Sequence, residues 1–210
     1  SRSGGAGSVA QILVDQQSSS GRESQFAYSI EKNLRAEPFS APRHTIAAGL
    51  DEYLVKQPGF SAPISVLRDE VSSRLTADPS QSDIVHLHNI NGVLPVEKIG
   101  KLWGHKKMIW TLHDMNPFTG ACHYSLDCQG FKGNCSNCPA VRTLFTNTVP
   151  SAVAHKVAAF REIEDLSIVA PSTWLAELAA DSAVFRGREI SVIANPCGVE
   201  FFPTNPAAEP

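Results

Sequence analysis

A cluster of four cysteines follows directly after an apolar run that ends in two polar residues, and this arrangement constrains the fold more than any other feature. The run is strand-like from Lys107 to His113, and Asp114 comes next. In an α/β sheet, a buried strand that ends in polar side chains delivers them to a ligand crevice. The cysteines are Cys122, Cys128, Cys135 and Cys138. The sequence therefore predicts an α/β domain with a fastened loop beside its site.

Apolar, β-rich runs alternate with segments of helical period along the chain, which is the pattern of βα units. The predicted strands are Glu23–Ile30, Asp83–His88, Lys107–His113, Leu166–Pro171 and Ile190–Ala194. The predicted helices are Ser8–Gln17, Ile64–Thr76, Val96–Trp103, Ala152–Ile163 and Thr173–Phe185. Ser172 suits the N-cap of the last helix. We predict a Rossmann-like, mostly parallel sheet with helices on both faces.

The length bounds the domain organisation, because 210 residues suffice for one large α/β domain. Residues 1–202 are assigned to this domain, with a Cys-rich loop at 120–139, and residues 203–210 to the start of a linker. The glycine-rich turn at Gly4 and Gly5 lies too close to the start for a strand to precede it, so we expect the first strand to be missing. The proline-interrupted region 35–60 is predicted to be loop, with one short strand near 45–48.

Composition excludes several classes of protein. The 18 Lys and Arg residues against 21 Asp and Glu residues form no basic stripe, so nucleic acid is not an expected partner. Neither a membrane span nor a secretion signal is visible, and we expect a cytoplasmic protein. The five cysteines, an odd number of which four are grouped, favour reduced thiols over a disulfide framework.

Six blocks of sequence run in order along almost the whole chain. They are SGGAG, DIVHLHNING, WTLHDMNPFTGACHY, CSNCP, IVAPSTWLAELA and VIANPCGVEFF. This set resembles the N-terminal domain of family 4 glycosyltransferases, in the bacterial polysaccharide-biosynthesis branch. The resemblance implies a GT-B architecture in which this chain is the acceptor-side half, while the C-terminal half, which binds the nucleotide-sugar donor, is absent.

The resemblance also implies an activity. It indicates a retaining hexosyltransferase that moves a sugar from a nucleotide-sugar to a glycan or lipid-linked saccharide without a catalytic cofactor. Work on lipid-linked acceptors implies peripheral association with the inner face of the membrane. Because the donor half is missing, we expect the isolated fragment to be inactive.

His113 and Asp114 are the predicted catalytic residues, since the carboxyl end of a parallel strand is where ligands bind in such sheets. An imidazole there can hydrogen-bond a sugar hydroxyl, and the adjacent carboxylate can hold its tautomer or accept a hydroxyl proton. By resemblance, His113 matches the family histidine that faces the transferred sugar. The alternatives are a histidine satisfied by backbone groups and an aspartate that caps the next turn.

Gly4 and Gly5 are predicted to bind substrate at the start of the first helix. Backbone N–H groups without side chains around them, aided by the helix dipole, can approach an anion such as a sugar-nucleotide phosphate. The alternative is a flexible chain end.

His88, Asn89 and Asn91 are predicted to contact the acceptor. His88 lies at the crevice end of its strand, and the two asparagines stand in the following turn, where they can reach acceptor hydroxyls. His86 shares a strand face with His88, because side chains alternate along a strand. A metal site at this pair is disfavoured, because no third ligand stands at suitable spacing.

The cysteines follow the pattern C-x5-C-x6-C-x2-C. A terminal C-x2-C with two further thiols fits a tetrahedral, structural Zn²⁺ site that would pin the loop and do no chemistry. Disulfides and free thiols are the alternatives. His123 is either a substitute ligand or loop surface. Cys197 is predicted to be a buried small residue and not a nucleophile.

Two other functions compete with the transferase interpretation. The first is a non-catalytic fragment that binds a saccharide or a partner protein through the crevice and the Cys-rich loop. The second is a zinc-dependent hydrolase built around the cysteines, for which Asp127 is the carboxylate near the cluster. This second alternative requires an open metal position and a nearby carboxylate base.

Overall fold

Four parallel strands form a single sheet in the computed structural model, which describes residues 5–27, 51–66, 78–91 and 94–197. The strands lie in the order β1-β2-β3-β4, with every neighbouring pair parallel. They are β1 (Ile84–Leu87), β2 (Lys107–Thr111), β3 (Asp165–Ala170) and β4 (Ile190–Val192). The predicted α/β class and Rossmann-like parallel sheet are confirmed.

Four α-helices accompany the strands in the described ranges. They are α1 (Gly5–Ser19), α2 (Val96–Trp103), α3 (Thr148–Arg161) and α4 (Thr173–Asp181). Helix α2 has the predicted ends, and the other three were predicted with somewhat different ends. Helix α3 begins a turn earlier than predicted and includes Pro150. A proline is tolerated there because the N–H groups of the first turn have no acceptor within the helix.

Serine side chains fix both ends of α4. At the start, Ser172 Oγ accepts a hydrogen bond from the N–H of Leu175 at 3.3 Å, which confirms the predicted N-cap. At the end, the hydroxyl of Ser182 donates to the Ala179 carbonyl and accepts from the N–H of Phe185. These local bonds compete with the helical ladder, so the helix ends at Asp181 and not at the predicted Phe185.

The two faces of the sheet differ in character. On one face Met108 and Trp110 are buried, and the Trp110 ring packs on Phe160 of α3 with centroids 5.1 Å apart. Helix α2 packs against α3 on the same layer. On the other face, set by the alternation of side chains along β1 and β2, lie His86, His88, Thr111 and His113. We call this second surface the histidine face.

The first predicted strand is wrong over its described part. Residues 23–27 form neither a helix nor a strand, and 28–30 lie outside the described residues. The residues that follow α1 bond the end of that helix instead. The N–H of Arg22 bonds the Gln17 carbonyl at 3.0 Å, and Ser24 Oγ bonds Gln17 Oε1 at 2.7 Å. Contacts to the helix end thus replace strand pairing.

The predicted helix Ile64–Thr76 is also wrong where it can be compared. Ile64 forms an isolated antiparallel bridge with Cys122, and the N–H of Ser65 bonds the Ala121 carbonyl at 2.9 Å. Residues 67–76 lie outside the described ranges. Residues 64–66 pair with the Cys-rich loop in place of starting a helix, and Ile64 and Val66 are buried. Secondary-structure prediction from a short stretch of sequence does not include a partner so distant along the chain.

Within the region predicted to be loop, Asp51–Val55 forms one π-helical turn. The strand predicted near 45–48 lies outside the described residues, as do Gly4 and the linker 203–210. No helix in the described ranges is both long and apolar enough to cross a membrane.

Aromatic contacts dock the Cys-rich loop on the rest of the domain. Phe118 packs on Phe131 and on Phe185, each at a centroid distance of 6.1 Å, and Phe185 packs on Phe160 at 4.8 Å. The loop is therefore continuous with the core that contains Trp110 of β2. Its position relative to the carboxyl end of β2 is set by this packing.

Candidate functional site

Three histidines from two neighbouring strands meet at the carboxyl end of the sheet. His88 Nδ1 and His113 Nε2 are 2.9 Å apart, and their rings stack with centroids separated by 5.2 Å. The His86 ring lies 4.5 Å from that of His88, and His86 Nε2 bonds Thr111 Oγ1 at 2.8 Å. The predicted convergence of His88 and His113 is thus present, and the register of β1 on β2 produces it.

Burial holds these imidazoles in their neutral forms. Desolvation lowers the pKa of His88 from 6.5 to about 3, assisted by the charges of His86 and His113. Desolvation also lowers the pKa of His86 and of His113, and Asp114 partly opposes the effect on His113. Between two neutral imidazoles one ring nitrogen donates and the other accepts. The contact therefore fixes the orientation of His113 and couples its tautomer to that of His88.

Asp114 has a hydrogen bond on each carboxylate oxygen. Its Oδ1 accepts from the N–H of Asn116 at 2.8 Å, which is the turn cap that the sequence left open as an alternative. Its Oδ2 lies 2.7 Å from His123 Nδ1, and His123 Nε2 lies 2.8 Å from Ser65 Oγ. Asp114, His123 and Ser65 thus form a relay that joins the strand end, the Cys-rich loop and the segment 51–66.

The atoms of this relay are joined in the order found in Ser-His-Asp hydrolases, but its surroundings do not suit acyl transfer. That chemistry needs backbone N–H donors beside the serine to stabilise an oxyanion. Here the N–H of Ser65 bonds the Ala121 carbonyl, and the N–H of Val66 bonds the carboxylate of Asp51 at 3.1 Å. The relay is therefore a positioning device for Asp114.

The other predicted substrate-binding residues are spread around the site. Asn89 and Asn91 are exposed, and Asn89 Oδ1 accepts the N–H of Asn91 at 3.0 Å. Gly5 is the first residue of α1, and a Cβ placed on it would meet no atom within 4 Å. Gly4 lies outside the described residues. The roles of these four residues stay predictions.

The four cysteines of the loop, which we call the loop cysteines, are reduced and line one small cavity of about 10 Å³. Cys122 and Cys138 share a hydrogen bond, which raises the pKa of Cys122 and lowers that of Cys138 to about 6. Across the described ranges, no group of three or more His, Cys, Asp or Glu side chains is set in a geometry that could hold a metal ion as it stands.

One cysteine prediction is wrong, and several residues of the site were not predicted. Cys197 is exposed, because it follows the short edge strand β4 and does not enter the core. Ser65 and Thr111 had no motif to mark them, since each acquires its role from a partner distant in sequence. His123 was left undecided between ligand and surface, and the structure shows both of its ring nitrogens hydrogen-bonded, to Asp114 and to Ser65.

Comparison with known proteins gives one partial match. The chain is 30% identical over 102 residues to the provisionally named colanic acid biosynthesis glycosyl transferase WcaC of Escherichia coli (strain K12). The match covers 45% of this chain and 25% of that relative. No protein-family model and no solved structure matches the chain. The chain is thus related to glycosyltransferases, over a quarter of that relative's length.

Proposed function

We propose that the chain is the acceptor-side half of a retaining, nucleotide-sugar-dependent glycosyltransferase of the GT-B type. In this proposal it helps to transfer a sugar to a glycan or a lipid-linked saccharide, and it uses no catalytic cofactor. The partial similarity to a glycosyltransferase and the six ordered sequence blocks support it. The single observation that carries it is the His88–His113 contact of 2.9 Å at the carboxyl ends of β1 and β2.

The proposed role of His113 follows from which of its ring atoms is engaged. Nε2 faces His88, and within the described part of the chain Nδ1 has no hydrogen-bond partner. A neutral imidazole whose second nitrogen is fixed can present Nδ1 to a sugar hydroxyl in one orientation. His88 is then a positioning residue for His113 rather than a direct contact to the acceptor.

Asp114 is proposed to face the acceptor hydroxyl from the same rim. Its two oxygens are already held by Asn116 and His123, and each carboxylate oxygen has a second lone pair. A carboxylate that is fixed in this way can accept a hydrogen bond from the attacking hydroxyl without reorganisation. Asn89 and Asn91 are proposed to bind further acceptor hydroxyls, and Gly4 and Gly5 the donor phosphate.

A sugar-transfer assay on the full-length protein that carries this chain tests the proposal. His113→Ala removes the imidazole that we expect to contact the transferred sugar, and kcat should fall on the order of 10²-fold or more. His105→Ala is the matched control, because His105 is exposed at the opposite end of β2. It should leave kcat and KM unchanged.

Three results would count against the proposal. If His113→Ala kept the wild-type kcat, His113 would not be part of the site. An equal loss of kcat in His105→Ala would show that the effect is not specific to the rim. No transfer from any nucleotide-sugar, together with saccharide binding detected by NMR titration, would support the non-catalytic binding fragment instead.

A further inference from the structure

The loop cysteines are spread along the chain from Cys122 to Cys138 yet line one small cavity. Besides the four cysteines, the residues around the cavity include Phe131, Val149 and the hydroxyl-bearing Thr119, Ser125 and Ser136. Its volume of about 10 Å³ is on the scale of one water-sized sphere. Two separate disulfides would divide the thiols into two pairs, whereas all four here share a single space of atomic size.

Backbone N–H groups point at the sulfur atoms of this cavity. The N–H of Gly130 lies 3.4 Å from Cys128 Sγ, and Cys138 receives hydrogen bonds from the backbone of Ala140 and Val141. Cys135 has a backbone partner at Gly120. N–H groups that donate to sulfur orient the cysteine side chains, as outer-shell hydrogen bonds do for metal ligands.

The local backbone is shaped to bring these sulfur atoms together. Cys135 and Asn137 lie in the left-handed region, with φ of 58° and 53°, a conformation that non-glycine residues adopt only where the surroundings demand it. A Cβ on Gly130 would lie 3.3 Å from Cys128 Sγ. Glycine at this position therefore lets the sulfur approach the turn closely.

We propose that the four loop cysteines bind one Zn²⁺ ion in a closed structural site. Four thiolates are a donor set typical of structural zinc, and they leave no position for a catalytic water. In the thiol form the side chains are not at ligating positions, because Cys122 and Cys138 bond each other. Binding releases the remaining thiol protons to solvent, breaks this contact and turns the sulfur atoms toward the ion.

The surroundings suit the negative charge of such a complex. The Lys156 ammonium group bonds the carbonyls of Asn116 and Thr119 at 2.5 Å and 2.8 Å, and its charge acts on Cys135. A cation beside a thiolate cluster stabilises its negative charge. Lys156 thus stabilises the turn at residues 116–119 by hydrogen bonds and the thiolate cluster by its charge.

The ion would fasten the loop where it meets the histidine face. Cys122 forms a bridge with Ile64, and its neighbour His123 bonds both Asp114 and Ser65. A fixed Cys122 therefore holds the relay in place. The inference itself does not depend on the proposed function, because it concerns only the loop and its four thiols.

The test uses the 210-residue chain, purified under reducing conditions without chelator. Elemental analysis should find one Zn²⁺ per chain, and a mercurial that titrates the thiols should release it. Co²⁺ in its place should give the sulfur-to-cobalt charge-transfer bands and intense visible bands of a tetrahedral thiolate site. A strong chelator should lower the Tm. Cys135→Ser should lose the metal, whereas the control Cys197→Ser, which changes the exposed cysteine, should keep it.

The readouts separate the alternatives. An absence of bound Zn²⁺ or Co²⁺ with four reactive thiols would overturn the proposal in favour of free thiols. An intact mass that shows the loss of thiol hydrogens, with no metal bound, would overturn it in favour of disulfides. If Cys135→Ser does not fold, the wild-type release of Zn²⁺ by the mercurial decides the question without a variant.

Discussion

At the residue scale, the pKa of His88 makes stability depend on pH. Its pKa in the folded protein is about 3, against 6.5 for an ordinary histidine, so the unfolded chain binds this proton more readily. The contribution of neutral His88 is complete above pH 6.5 and is lost as the pH falls toward 3. We predict that the free energy of unfolding, measured by urea titration at a series of pH values, decreases through this window.

The matched variants separate His88 from other acid effects. His88→Gln should flatten the pH dependence, although His86 and His113 change stability in the same direction. His105→Gln should leave the slope as it is, because its exposed side chain meets water in both states. Equal slopes for wild type and His88→Gln would contradict the burial argument.

The sequence predicts the residues of the rim better than it predicts their partners. His113, Asp114 and His88 were found because polar residues at the end of an apolar run have a fixed place in a parallel sheet. The relay partners Ser65 and His123 meet Asp114 only through the folded path of two irregular segments. No spacing rule connects them, which is why the role of Asp114 as the hub of the relay was not predicted.

At the element scale, the contact between the Cys-rich loop and α3 depends on one glycine. A Cβ on Gly120 would lie 2.4 Å from Val149 Cγ1 and 2.7 Å from the Val149 carbonyl oxygen. We predict that Gly120→Ala lowers the free energy of unfolding by about 1–3 kcal/mol, because the helix backbone has to move. Chemical denaturation of the wild type and the variant measures this difference.

Gly5→Ala is the control at a glycine without close neighbours. A Cβ there would meet no atom within 4 Å, and Gly5 is the first residue of α1. The change should therefore not lower the free energy of unfolding, because alanine is a better helix former than glycine. Equal destabilisation by both substitutions would show that the packing of Gly120 on Val149 is not the cause.

The elements themselves were predictable to the extent that local pattern decides them. All four strands and the helices α1 to α4 were expected, because apolar periodicity and the Ser172 cap act over a few residues. The strand at 23–27 and the helix start at 64–66 failed for a shared reason. These segments bond the end of α1 and the Cys-rich loop, and such tertiary partners override local propensity.

At the scale of the whole molecule, several contacts hold the Cys-rich loop against the sheet. The loop packs on the core through Phe118 and Phe131, bonds the strand end through His123, and is bridged to the segment 51–66 at Ile64 and, farther along, between Lys56 and Val141. A change that destabilises the loop should therefore disturb the geometry of the histidine face, even though no residue of that face is altered. A proposed structural metal would act on the site by this route.

The last prediction concerns the activity of the 210-residue chain by itself. We expect negligible sugar transfer, because the developing charge of the leaving diphosphate requires fixed donors that the proposed GT-B arrangement supplies from its other half. A radiolabelled nucleotide-sugar assay should detect product from a protein with both halves and none from this chain at equal concentration. NMR titration with saccharide acceptors should still shift resonances near His113. Transfer by the chain alone would show that the rim of β1 and β2 assembles a complete catalytic site, and the division into acceptor and donor halves would be wrong.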